Sequence, residues 1–185
     1  MRKDLIDSSI ATLTASLGSI RRPVDEPVLE RLFVAQDLVG MITTIQRVLR
    51  VDTRVRLGLV NSGGPRNAPA WIERPNPIPH FGSESFRRMT VTLYVRKQFL
   101  ANVGFESLVM GFAHELCHVV LDATGNPLRK CEEAVDLTAM LLGFRDFYVT
   151  GCSAIHRVAG QLYVERLGYL TREEVMYAAQ AMTYR

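Results

Sequence analysis

The chain has 185 residues, 48% of them apolar and 22% charged, a length and balance that suit one globular domain and exclude a wholly disordered or fibrous protein. A net charge of +3 from 22 basic and 19 acidic residues is too small and too dispersed for a dedicated nucleic-acid binder. The three cysteines, Cys117, Cys131 and Cys152, do not make the even framework of a small secreted scaffold, so reduced thiols in a cytosol are expected.

Asp4 and Asp7 stand where a signal peptide needs its apolar stretch, and the sequence carries no run long and apolar enough to suggest a membrane span. The expectation is a soluble, cytoplasmic protein without a membrane or nucleic-acid partner, its oligomeric state left open. Residues 3 to 20 carry Leu5, Ile6, Ile10, Leu13 and Leu17 at mixed helical spacing and stop near Gly18. From Pro27 to Arg50 the positions Val28, Leu32, Val39, Ile42, Ile45 and Leu49 recur at threes and fours, which predicts one long helix started at Asp25 or Glu26. Residues 1 to 50 thus read as a helical N-terminal part of a single domain over 1 to 185.

Arg54 to Val60 alternates at period two and is closed by Asn61-Ser62-Gly63-Gly64-Pro65, the pattern of a half-buried strand. Between Asn67 and Arg88, Pro69, Pro75, Pro77 and Pro79 permit only short extended pieces such as Ala70-Trp71-Ile72. Met89 to Val95 is rich in β-branched and aromatic residues and predicts a second strand. Everything beyond it reads as helical, including a last helix opened by a capping box between Thr171 and Glu174. Little β structure among many helices gives an α+β class.

The chemistry lies in Gly111-Phe112-Ala113-His114-Glu115-Leu116-Cys117-His118, which contains His-Glu-x-x-His. Residues four apart on a helix lie about 40° apart around its axis and roughly 6 Å along it, so two imidazoles can meet one metal ion. Glu115 falls beside them as the base for a metal-activated water. With four histidines in 185 residues, this pattern arises by chance roughly 0.005 times per chain. On the helical wheel Ser107, Gly111, His114 and His118 share one narrow strip, while Phe105, Leu108, Val109, Phe112, Leu116, Val119 and Val120 occupy the opposite arc. The strip is expected to be open and the arc packed.

A catalytic zinc site takes three protein ligands and keeps one position for water. After Gly125-Asn126-Pro127, residues Lys130 to Gly143 predict another helix, on which Glu132 and Asp136 share a face and Glu133 points about 100° away. Glu132 is the expected third ligand, Glu133 remaining an alternative, and Asp136 is expected to accept the second ring proton of His114. Cys117 is expected in the core. For the group that stabilises the developing oxyanion the candidates are His156, Tyr148, Tyr163 and Tyr169, with His156 preferred and His80 ranked lower.

On the residues His114-Glu115-Leu116-Cys117-His118 and Glu132-Glu133-Ala134-Val135-Asp136, the chain resembles the zinc metallopeptidases called gluzincins. The short separation of His118 and Glu132 is more similar to minimal or ImmA/IrrE-type members than to thermolysin, although no helix-turn-helix accompanies it. The resemblance implies a mostly helical zincin-like domain with a small sheet packed on the active-site helix and a substrate backbone aligned along its edge strand. By that analogy Met89 to Val95 or Ala70 to Ile72 is the edge. The expected activity is Zn2+-dependent hydrolysis of a peptide or protein, with Glu115 as base. The alternatives are a non-catalytic zinc domain that holds a peptide or partner, and a latent peptidase covered by its proline-rich loop.

Overall fold

The computed structural model describes residues 3–18, 23–65, 68–158, 161–166 and 168–183, with only the backbone described from 153 onward in the two strands that end at 166. The chain is α+β, with helices α1 (Lys3–Leu17), α2 (Glu26–Val34) and α3 (Leu38–Leu49) preceding strands β1 (Arg54–Val60) and β2 (Ala70–Glu73). A short helix α4 (Glu84–Arg88) leads into β3 (Thr90–Arg96), followed by the single turn α5 (Lys97–Leu100). The central helix α6 (Phe105–Ala123), α7 (Glu132–Ala139) and α8 (Arg145–Gly151) come next, then β4 (Ser153–Val158), β5 (Gln161–Arg166) and α9 (Arg172–Thr183). Among the described residues no helix is long and apolar enough to cross a membrane.

The first three strands form a mixed sheet in the order β1-β3-β2, with β1 parallel and β2 antiparallel to β3. Alternation along β3 sends Val91, Leu93 and Val95 into the core together with Ala70 and Ile72 of β2, as the pleat requires. On the other face Trp71 stacks on Tyr94 with ring centroids 5.2 Å apart. Met89 to Val95 is therefore the middle of the sheet and not its edge, because both flanking segments pair with it. Ala70 to Ile72 does lie on an edge strand, and β2 is packed against α6.

The predicted helix from Pro27 to Arg50 is two helices. Gln36 turns left-handed at φ 54° and Asp37 opens the second helix, its Oδ1 accepting from the Gly40 amide at 2.8 Å. An aspartate one turn ahead of a fresh apolar run is an N-cap signal, and apolar spacing that continued across the corner concealed it. Asp25 caps α2 in the same way, accepting from the Val28 amide at 3.1 Å. The capping box of α9 forms, with the Thr171 amide donating to Glu174 Oε2 at 2.9 Å and the Glu174 amide donating to Thr171 Oγ1 at 3.2 Å.

The region beyond β3 is not wholly helical. β4 and β5 pair antiparallel, with Val158 opposite Gln161 and His156 opposite Tyr163. Alternating Ile155, Leu162 and Val164 around an Ala159-Gly160 dipeptide is a hairpin pattern; it is short and polar on its alternate positions, which let the surrounding helical periodicity dominate. The helix expected over Lys130 to Gly143 starts at Glu132 and widens into a π segment, Met140–Phe144, where Gly143 at φ 123° breaks it. That break turns the chain so that α7 and α8 both lie against α6. A side chain at Gly143 meets the steric barrier to positive φ.

Candidate metal centre

α6 runs through the middle of the core, and its sequence explains why. Leu108, Val109, Phe112, Leu116, Val119 and Val120 are buried, as the packed arc of the wheel predicts, while Phe105 at the start of the helix is half-buried. The open strip is displaced from its expected position. Ser107 and His114 are buried, and Ser107 Oγ donates to the Gly151 carbonyl at 3.3 Å. Beyond the first two residues of the helix, the partly accessible positions are Gly111, Glu115, His118 and Asp122, because α7 and α8 cover the Ser107 side. A Cβ built on Gly111 meets nothing within 4 Å, so this part of the helix faces open space.

α7 crosses next to the two histidines and brings the third donor. Glu132 Oε2 lies 3.2 Å from His114 Nε2 and 3.2 Å from His118 Nε2. One ligand atom from each of the three residues fits within 4.8 Å of the others, so His114, His118 and Glu132 can hold a metal ion. Glu133 is turned away and accepts from Cys131 Sγ at 3.3 Å. Asp136, one turn further along α7, accepts from His114 Nδ1 at 2.8 Å.

Proton placement tests whether these residues suit a cation. With its Nδ1 proton committed to Asp136, neutral His114 presents only a lone pair at Nε2. That lone pair faces Glu132 Oε2, which is buried and receives no hydrogen bond from any described residue. Two acceptors aimed at one another without a proton between them are unfavourable, and an ion coordinated by all three atoms removes the conflict. Metal-free, the site takes a proton instead. Burial pulls the His114 pKa down, but the hydrogen bonds it then donates to Asp136 and Glu132 outweigh it and raise the value to about 10. The same imidazoles hold the Glu132 carboxyl well below the usual carboxylate range.

Glu115 sits on the accessible strip between the two histidines. Burial pushes its pKa up, partly offset by the charges of His114 and His118, the direction that prepares a carboxylate to exchange protons near neutrality. Arg74, just past the end of β2, forms an ion pair with Asp122 on the same strip. The pair ties the edge strand to α6.

Of the oxyanion candidates, Tyr169 and Tyr148 lie on different sides of the site. The Tyr169 ring stacks on the His114 ring at 5.5 Å and 18°, and the residue remains 51% exposed. Burial raises the pKa of its phenol, and the charges of Glu132 and Glu115 raise it further, which sets the hydroxyl within the field of the site. Tyr148 lies behind the site instead, buried and donating to Asp136 Oδ1 at 3.0 Å, so it does not face the cleft. The side chains of His156 and Tyr163 lie outside the described residues. His80 is exposed in the loop before α4, with Nδ1 3.0 Å from the Phe81 carbonyl oxygen. Cys117 is buried in the core, where burial drives its thiol pKa well above the ordinary value.

No protein-family model, no curated protein and no solved structure matches this chain. The chemistry therefore stands on the geometry of the site.

Proposed function

We propose that the protein is a zinc-dependent peptidase, with His114, His118 and Glu132 as metal ligands and Glu115 as general base. The observation that carries this reading is a His-His-Glu donor set, from α6 and α7, with the further carboxylate of Glu115 beside it on α6. A purely structural zinc site is closed by four protein ligands and has no use for that extra acid. Two histidines and one carboxylate are a familiar catalytic zinc set, and the resemblance to gluzincins agrees with it.

When bound, zinc supplies a Lewis acid that polarises a carbonyl and makes water acidic near neutral pH. The chain's own residues do the remaining work. Asp136 holds His114 in one tautomer. Glu115 takes a proton from the attacking water and passes it to the departing amine. Tyr169, whose ring stacks on His114, donates a hydrogen bond to the substrate oxygen in this reading, the side chain of the other candidate, His156, lying outside the described residues. The outer edge of β2, anchored by Arg74 and Asp122, offers backbone donors and acceptors to an extended peptide.

Glu115→Gln tests the assignment. The variant should keep stoichiometric zinc by elemental analysis and lose about 100-fold or more of the chelator-sensitive cleavage of a denatured protein substrate. Wild-type protein that binds zinc but cleaves nothing, before and after limited removal of the proline-rich loop, points instead to a non-catalytic metal domain.

A further inference from the structure

Asp136 is completely buried, and four groups converge on its two oxygens. His114 Nδ1 donates to Oδ1 at 2.8 Å and the Tyr148 hydroxyl donates to the same atom at 3.0 Å. Oδ2 receives the backbone amides of Tyr169 at 2.6 Å and Leu170 at 3.2 Å. Orienting the histidine requires only Oδ1. The second oxygen is spent on consecutive amides of a turn far along the chain, an arrangement that grips an anion and is gripped by it.

Gly168 makes that grip possible. Its φ is 87°, and a Cβ there stands 3.1 Å from Asp136 Oδ2. Any other residue is both strained at positive φ and pressed against the carboxylate that the turn must reach. The next residue is Tyr169, whose ring lies on His114 and whose surface is half open to solvent. One carboxylate thus touches a metal-facing imidazole on one side and the anchor of the aromatic covering that imidazole on the other.

We propose that Asp136 is a two-sided positioning residue: Oδ1 sets the His114 imidazole, and Oδ2, through the turn at Gly168, sets Tyr169 so that its hydroxyl meets an oxygen ligand bound at the metal centre. The inference rests on the metal-centre reading above but not on peptide hydrolysis. Its ligand class is an oxygen donor of carbonyl or oxyanion type, since a phenol donates one hydrogen bond to such an atom.

The test uses Co2+-loaded full-length protein and acetohydroxamate, followed by the visible d–d absorption of the ion. Tyr169→Phe should weaken hydroxamate binding about tenfold, the scale of one lost hydrogen bond, with Co2+ affinity unchanged within about twofold. Gly168→Ala should weaken it to a similar extent, because the turn leaves Oδ2. The two changes act through the same hydroxyl, so the double variant should be no weaker than the worse single one, whereas independent structural damage multiplies. Should Gly168→Ala fail to fold, Gly168→Asn carries the same Cβ on a residue more tolerant of positive φ. Wild-type affinity in Tyr169→Phe, multiplicative losses in the double variant, or no hydroxamate binding by Co2+-loaded wild type each overturns the proposal. Intact hydroxamate results without peptide cleavage remove the peptidase reading and leave the positioning role standing, while failure to bind Co2+ removes the metal centre itself.

Discussion

The two walls of the metal centre are built in different ways. One wall is the helix pair α6 and α7, whose donors His114, His118 and Glu132 lie close in sequence and meet through helical periodicity. The other is assembled from Tyr148 on α8 and the Gly168–Leu170 turn after β5, which meet at Asp136. The first wall can hold an ion, and the second holds His114 of the first through Asp136. Substitutions in the first should therefore act on metal affinity, and substitutions in the second on fold stability and on ligands of the metal.

The largest effect expected is on the first wall. Glu132→Gln should lower zinc affinity by at least about 100-fold, the upper range seen even for outer partners of metal ligands. Glu133→Gln should stay within about twofold of wild type, because Glu133 is engaged by Cys131. Competition against a chromogenic zinc chelator measures both. Equal losses in the two variants break the distinction between neighbouring carboxylates on which the helix-pair wall depends.

A second expectation follows from the His114 proton. Its pKa is raised from 6.5 to about 10, the hydrogen bonds it donates to Asp136 and Glu132 overcoming the lowering by burial. A group raised on folding stabilises the fold fully below its unfolded value and loses that contribution as pH climbs through the folded one. The metal-free protein should thus lose thermal stability between pH 6.5 and about pH 10, by calorimetry in chelator. Zinc displaces the same proton, so apparent zinc affinity should rise about tenfold per pH unit over that interval. A flat affinity profile means that His114 carries no proton to displace and that Asp136 does not act on it.

The same division describes what the sequence made legible. His114 with His118, and Glu132 with Asp136, are paired by a spacing of four on a helix, so each half of the first wall was legible from periodicity, while the choice of Glu132 over Glu133 came from how α7 packs on α6. The corner at Gln36 was hidden because apolar residues keep helical spacing across it, although Asp37 is a ready N-cap. The pair β4 and β5 was hidden by its brevity. No local pattern tells that Asp136 receives amides more than thirty residues away, or that Ser107 is covered and Asp122 open. Those facts depend on how α7, α8 and the turn at Gly168 pack around α6, and packing partners distant in sequence leave no period to read. Gly168 was the one available clue, a glycine just ahead of a capping box.

The smallest effect sharpens the comparison most. Tyr148 is buried and its hydroxyl donates to Asp136 Oδ1, the atom that also holds His114. Tyr148→Phe keeps the ring and deletes one hydrogen bond to a charged acceptor, a loss of about 1–2 kcal/mol and roughly 2–8 °C in Tm for a chain of this size. Zinc affinity should change by less than about threefold, because His114 Nδ1 and the amides of Tyr169 and Leu170 still satisfy the carboxylate. If zinc affinity instead falls as far as in Glu132→Gln, the hydroxyl is part of what makes His114 a ligand. The walls then form one network, and Asp136 transmits between them instead of keeping their tasks apart.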